Sequence, residues 1–304
     1  MFAPPLLATL VAVVETGSFE RAAARLCVTP PAVSQRMRAL AEAAGGAVFA
    51  RLQPATPTAL GRRLLRHARD AAALDAALAA DLARDGGPRP VSLAVNADSL
   101  ETWAIPALAV CAGFRYDVVI LDQDHSADAL RRGEVSAAVT AEAAPLPGCD
   151  AHPLGALRYL ACCTPAFHAA WFACGVTAEA LAAAPMLQFD AKDALQSRWI
   201  ERATGAALDP PPHRIAAPGP FVAAARERLG WGMVPEPMAA ADLRAGRLRM
   251  LLPDAPLDTA LAWQVARVMA PTLAPLTRAV RRAARAALVR PEPIRAGPVS
   301  PARP

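Results

Sequence analysis

The first fifty residues place apolar side chains at helical spacing in short bursts, each closed by turn residues. Leu6, Leu7, Leu10, Val13 and Val14 predict a helix over residues 4–15, which Thr16-Gly17 ends. Ser18 then suits the N-cap of a second helix from Phe19 to about Leu26, with Ala22, Ala23 and Leu26 facing inward. After the short turn Cys27-Val28, Thr29 can cap a third helix. Pro30 suits its first position, where no amide donor is needed, and Pro31 is tolerated in the same turn. Val33, Met37 and Leu40 line one side of this helix; Ser34, Gln35, Arg36 and Arg38 line the other, and Gly45-Gly46 ends it.

Two short helices joined by a tight turn, the second with a polar and basic face, form a helix-turn-helix. Ser34 and Gln35 can bond base edges, while Arg36 and Arg38 can pair with guanine or hold phosphates. Residues Ala47 to Thr58, with Pro54 and Pro57, predict a two-stranded wing that carries Arg51 to the minor groove or a phosphate. From Thr58 to about Asp85 the chain has no proline, and Leu64, Ala71, Leu74, Leu78 and Leu82 approximate a heptad seam. A helix this long on so small a domain needs a partner, and the same helix in a second chain is the natural one. Gly86-Gly87-Pro88-Arg89-Pro90 marks a hinge.

Beyond the hinge the rhythm changes to strands near 91–95, 116–121 and 135–140 alternating with helices over 100–111 and 126–132. Such alternation predicts parallel α/β layers. A second segment begins near Leu157, continues through a helix over 193–203 and a strand near 231–234, and returns through a strand at 261–268 to a closing helix at 272–289. The expected division is a DNA-binding domain over 1–58, a linker helix and hinge over 59–88, an effector domain over 89–290 and a disordered tail over 291–304. Within the effector domain, one lobe takes about 89–156 with 262–290 and the other about 157–261.

Charge sharpens this picture. The net charge is +5, but residues 1–69 hold nine arginines against Glu15, Glu20 and Glu42, and residues 278–304 hold seven against Glu292. The 208 residues between those ends therefore carry −7. A basic N-terminal unit on an acidic body points to a polyanion held at one end. No apolar run approaches membrane-spanning length, no secretory leader is visible, and the six cysteines lack ligand spacing; together these predict a cytoplasmic, cysteine-reduced protein without zinc. No nucleophile elbow, phosphate loop, zinc-protease helix or dinucleotide fingerprint occurs, so an enzyme is not expected.

The stretch ETGSFERAAARLCVTPPAVSQRMRAL, continued by Thr58, Gly61 and Leu64, resembles the N-terminal signature of LysR-type transcriptional regulators. That resemblance implies a winged helix-turn-helix, a linker helix and a two-lobed, periplasmic-binding-protein-like α/β effector domain. It also implies double-stranded DNA with an interrupted inverted repeat as partner, self-association to a dimer or tetramer, contact with RNA polymerase, and no cofactor. SLAVNADSLETWAIPAL, LRRGEVSAAVT and LGALRYLACCTPAF are similar to the ArgP/LysG-like branch, which controls basic amino-acid export and senses lysine or arginine. The resemblance places an effector near Asn96, Asp98, Ser99 and Thr102, where helix N-terminal amides and hydroxyls favour a carboxylate. A cationic side chain would want carboxylates opposite, and Asp98, Asp122, Asp124 and Asp190 are available. Where that branch carries a Ser/Glu-containing loop before Phe221, this chain has Ala216-Ala217-Pro218-Gly219-Pro220, which removes polar groups from one wall. The same fold sensing another metabolite is one alternative. A thiol redox sensor built on the adjacent Cys162 and Cys163 is another.

Overall fold

The computed structural model describes residues 2–82, 88–121, 123–141 and 144–290. The expected tail, 291–304, and part of the hinge lie outside the described residues. Three helices open the chain: α1 (Pro4–Thr16), α2 (Phe19–Arg25) and α3 (Pro30–Ala44). Gly17 ends α1 in the left-handed conformation at φ 66°, and Ser18 caps α2 by accepting the Arg21 amide at 3.4 Å. Thr29 occupies the N-cap position of α3 with extended backbone, yet its side chain makes no capping bond, contrary to expectation. Pro30 and Pro31 already remove two of the amides it would have served. Ala12, Val13, Ala22, Ala23 and Val33 bury the seam between the three helices.

The wing is a hairpin of β1 (Phe49–Leu52) and β2 (Ala55–Pro57). The linker helix α4 (Ala59–Leu82) follows, with the Thr58 hydroxyl accepting the Gly61 amide at 3.0 Å as its cap. Gly61 lies so close to the wing that a Cβ there would strike the Val48 carbonyl oxygen. The heptad reading needs correction at its start: Leu64 is 5% exposed and packs with Leu65 and Ala68 against Leu7, Leu10, Met37 and Leu40. The first turns of α4 complete the DNA-binding unit's core and are not free to pair with a second chain. Only further along do apolar residues emerge, with Leu74 and Leu78 at 44% and 58% exposed. Ala71 is half-buried, and the side chain of Leu82 lies outside the described residues.

The larger domain starts with β3 (Arg89–Val95), then α5 (Ala97–Ser99), a π-helical turn (Leu100–Ala104) and α6 (Ile105–Ala109). It continues through β4 (Phe114–Ile120), α7 (Gln123–Arg131), β5 (Ala137–Thr140) and the long β6 (Cys149–Cys163). Next come α8 (Pro165–Trp171), α9 (Ala178–Ala183), β7 (Met186–Gln188), α10 (Leu195–Thr204), β8 (Pro212–Arg214) and α11 (Pro218–Arg226). The last elements are β9 (Gly232–Pro235), α12 (Glu236–Arg244), β10 (Arg249–Met250), β11 (Leu257–Ala266), a 3-10 turn (Arg267–Met269) and α13 (Ala274–Ala287).

The strand order is β10-β6-β11-β5-β3-β4, with β9 also on β6, in one seven-stranded sheet. It is mixed, which corrects the expectation of parallel layers: only β4-β3-β5 run parallel, while β11 is antiparallel to both β5 and β6. Two strands, β6 and β11, pass from one half of the domain to the other. The early part of β6 meets the late part of β11, which goes on to β5; the late part of β6 meets β9 and β10. Between the halves the ladder slips, since Leu261 opposes Gly155 but Ala262 opposes Pro153. Gly155 sits at φ +127°, and Val289, just past α13, exchanges two backbone hydrogen bonds of 2.9 and 3.0 Å with Ala156. A bulge and a positive-φ glycine at the waist make it the bendable point of an otherwise paired sheet.

The linker helix also touches the first half of this domain. Arg69 Nη1 donates to the Gly133 carbonyl at 3.4 Å, and Gly133, at φ +66°, abuts the Arg66 backbone so closely that a Cβ would come within 3.1 Å of the Arg66 Cα.

Candidate functional site

Two surfaces stand apart from the packed cores. The first is the outward face of α3 with the wing beside it. Pro31, Gln35 and Arg38 are exposed, Ser34 is half-buried, and Thr29 and Pro30 present the start of the helix. Arg51 is exposed on the wing, whose tip carries Leu52 at 61% exposure. Ser18 is held locally, donating its hydroxyl to Glu20 Oε2 at 2.7 Å. That bond leads the causes that lower the Glu20 pKa. Arg36 differs from expectation: Nη1 donates to the buried Thr9 Oγ1 at 3.3 Å, and Thr9 in turn donates to the Pro5 carbonyl. The guanidinium therefore braces α3 against α1 and is engaged away from the outward row formed by Gln35 and Arg38.

The second surface is a cleft of about 730 Å³ between the two halves of the larger domain. From the first half it takes Asn96, Asp98, Ile120 and Leu121; from the second it takes Tyr159, the 189–195 loop, Arg198, Phe221 and Thr259. Four of its groups are acidic or basic on the 190–198 side: Asp190, Lys192, Asp193 and Arg198. Asp190 Oδ1 accepts the amides of Lys192 and Asp193 at 2.7 and 3.0 Å, which folds the loop over itself. Asp193 then accepts Phe189 N with one oxygen and Leu195 N with the other, at 2.9 and 3.0 Å, so its carboxylate is fixed at the head of α10.

Asp98 sits at the start of the first helix after β3, where an N-terminal carboxylate is favoured. Tyr159 Oη, on the far half of β6, donates to Asp98 Oδ2 at 2.7 Å, so one hydrogen bond spans the two halves. Burial raises the Asp98 pKa above the usual carboxylate range; the tyrosine bond opposes this, and the charges of Asp193 and Glu101 reinforce it. Burial and the neighbouring Asp98 push the Tyr159 phenol well up, so it stays a donor. Two more polar atoms of the cleft, Asn96 Oδ1 and Thr259 Oγ1, are buried and have no hydrogen-bond partner among the described residues. Their residues are only 7% and 9% exposed.

Not every expected residue reaches the cleft. Ser99 is fully buried beneath it, and Thr102 donates its hydroxyl to the Asp98 carbonyl at 2.6 Å, as a helix-interior threonine does. Neither lines the opening. Asp122 and the side chain of Asp124 lie outside the described residues. Asp190 lines the cleft as expected, while Asp193, Tyr159, Arg198 and Thr259 were not singled out by sequence. The altered segment before Phe221 begins α11, where Pro218 and Pro220 leave Gly219 as the one residue of the first three with an amide N–H. This helix terminus thus offers little to an anion, and Arg198 and Lys192 are the cationic groups of the wall.

The adjacent cysteines are separated by the pleat of β6. Cys162 packs with Leu187, Phe221 and Val234; Cys163 packs on the other side with Trp103-containing core. Burial pushes both thiols up to about 12, so neither supplies the thiolate that redox sensing needs. Among the described residues no cluster of His, Cys, Asp or Glu could hold a metal, and no helix is long and apolar enough to cross a membrane.

Comparison with known proteins gives both surfaces a context. The chain matches the "Bacterial regulatory helix-turn-helix protein, lysR family" over residues 5–62 and the "LysR substrate binding domain" over residues 89–285. It is 38% identical over 289 residues to the lysine export transcriptional regulatory protein LysG of Corynebacterium glutamicum, spanning 92% of this chain and 97% of that protein. The crystal structure of ArgP from Mycobacterium tuberculosis is similar at TM-score 0.88 and 41% identity, over 95% of this chain and 99% of that one. Full-length LysG from Corynebacterium glutamicum with bound effector Arg is similar at TM-score 0.77 and 38% identity, over 95% and 100%. A basic helix-turn-helix face, a linker helix and a polar cleft in a waisted α/β domain therefore occur here in a known combination, and the chain belongs to the LysR family of DNA-binding, effector-responsive transcriptional regulators.

Proposed function

We propose that this regulator senses a basic amino acid, arginine or lysine, in the cleft between the halves and controls an amino-acid exporter in response. The observation that carries the reading is the cleft's charge layout: Asp98, Asp190 and Asp193 beside Lys192 and Arg198, which suits a ligand bearing both a carboxylate and a distal cation. The arginine-bound LysG relative supports the same chemistry. The two halves act as lobes in the manner of periplasmic binding proteins, and the bulged waist lets their angle change. Leu74 and Leu78 on α4 supply the apolar stripe for pairing two chains, with a tetramer as the full assembly. Two copies of α3 then read half-sites of an interrupted inverted repeat, Ser34, Gln35 and Arg38 at base edges or phosphates and Arg51 from the wing. Regulation proceeds through RNA polymerase in the cytoplasm, without catalysis.

The test is transcription in vitro from genomic DNA selected by the purified protein. Protection of an interrupted inverted repeat and a change in transcript yield with arginine or lysine are expected. Yield that ignores both amino acids while DNA binding persists would contradict the reading.

A further inference from the structure

Taking the basic-amino-acid reading as its premise, we infer that the cationic end of the effector is recognised by Asp98 and Asp193 together, one carboxylate from each half, and that this bridge draws the halves closed. Asp98 belongs to the helix that follows β3, in the first half; Asp193 heads α10 in the second. Both line the cleft. Among the described residues neither has a cationic partner, although each is held in place: Asp98 by Tyr159 Oη, and Asp193 by the Phe189 and Leu195 amides. A carboxylate that is fixed, partly buried and uncompensated is poised for a cation from outside.

A second feature points to the same ligand end. Asn96 Oδ1 is a buried acceptor without a donor, and Thr259 Oγ1 is a buried hydroxyl without a partner; both residues line the cleft. Buried polar atoms are rarely left unbonded unless a ligand or water completes them. Asn96 lies two residues before Asp98, and Thr259 lies on β11, so these atoms again come one from each half. Two carboxylates and two neutral oxygens offer acceptors to a group that is all donors, which describes a guanidinium or an ammonium and excludes a second carboxylate.

The bridge also supplies the motion. In the empty cleft Asp193 and Glu101 repel Asp98, and every step of closure brings the Asp98 and Asp193 charges nearer. A cation between them reverses the sign of that interaction. The bending falls at the waist, where the β6–β11 ladder slips and Gly155 takes positive φ. Differential affinity for the closed arrangement is thereby built into the charge recognised.

The test is isothermal titration of the full chain with L-arginine and with L-citrulline, which has the same length and a neutral ureido end. Wild type is expected to prefer arginine at least ~30-fold. In Asp98→Asn, arginine should bind ~10-fold or more weaker and the preference should fall to about threefold or less. Small-angle scattering should show arginine shrinking wild type and leaving Asp98→Asn unchanged at saturation. Should Asp98→Asn fail to fold, Asp193→Asn reads the other end of the bridge by the same ratio. Undiminished arginine preference in the folded variant overturns the bridge and leaves the basic-amino-acid reading intact. Wild type that binds neither arginine nor lysine overturns that reading first.

Discussion

Asp98 is costly to keep in the empty protein. Burial raises its pKa, and the Tyr159 bond, which lowers it, does not cancel the combined push of burial, Asp193 and Glu101. A carboxyl whose folded pKa lies above its unfolded value stabilises the fold at low pH, and that contribution is lost as pH rises through the interval between the two. Asp98→Asn should therefore raise the melting temperature of the ligand-free protein near neutral pH while weakening arginine binding, a trade typical of functional sites. Arginine must find Asp98 ionised. Its affinity should climb by up to about tenfold per pH unit below the Asp98 pKa and level off above it, and titrations in a pH series would show the slope vanish in Asp98→Asn. Sequence makes part of this site legible. Asn96 and Asp98 follow a strand at a helix start, a local pattern, and Asp190 is a carboxylate in a polar loop. Asp193 and Thr259 carry no local signal, because what places them opposite Asp98 is the crossover of β6 and β11, which joins residues over a hundred positions apart. The reverse error appears at Arg36, where a helix's polar face counted as one surface is split by the Thr9 contact.

At the scale of elements, the linker helix serves two masters. Its first turns fill the DNA-binding core through Leu64, Leu65 and Ala68, and only its later turns are free for another chain. Heptad spacing cannot tell these apart, since both uses demand an apolar stripe on the same face. Gly61 marks where the first use is tightest. Gly61→Ala would force its Cβ into the Val48 carbonyl oxygen, a backbone atom that cannot swing aside. The expected result is a displaced wing and loss of DNA affinity with arginine binding unchanged, measured by anisotropy on DNA and calorimetry on the same preparation. Sheet direction was the other element-scale gap. Alternation of strands and helices predicts parallel pairing, and β4-β3-β5 obey it. The returning strand β11 inserts antiparallel beside β5, and an apolar run buried on both faces reads identically in either direction. On the second half, a carboxylate with no exposure, Asp242, joins α11 to α12 through Arg226 and Arg247, each at 2.6 Å.

The whole molecule connects its two surfaces through that linker helix. Arg66 and Arg69 of α4 lie against the Gly133 turn, and Gly133 follows α7, whose chain enters from the cleft residues Ile120 and Leu121. A shift of the first half against the second is thus felt where the DNA-binding unit is attached. Everything in this account turns on a basic amino acid seated between the halves, and the most direct measurement is a crystal structure of the full chain grown with L-arginine. The account predicts one arginine in the cleft, its guanidinium between Asp98 and Asp193 and its carboxylate toward Arg198. A cleft that stays empty under saturating arginine, or an arginine whose guanidinium avoids both aspartates, would contradict it.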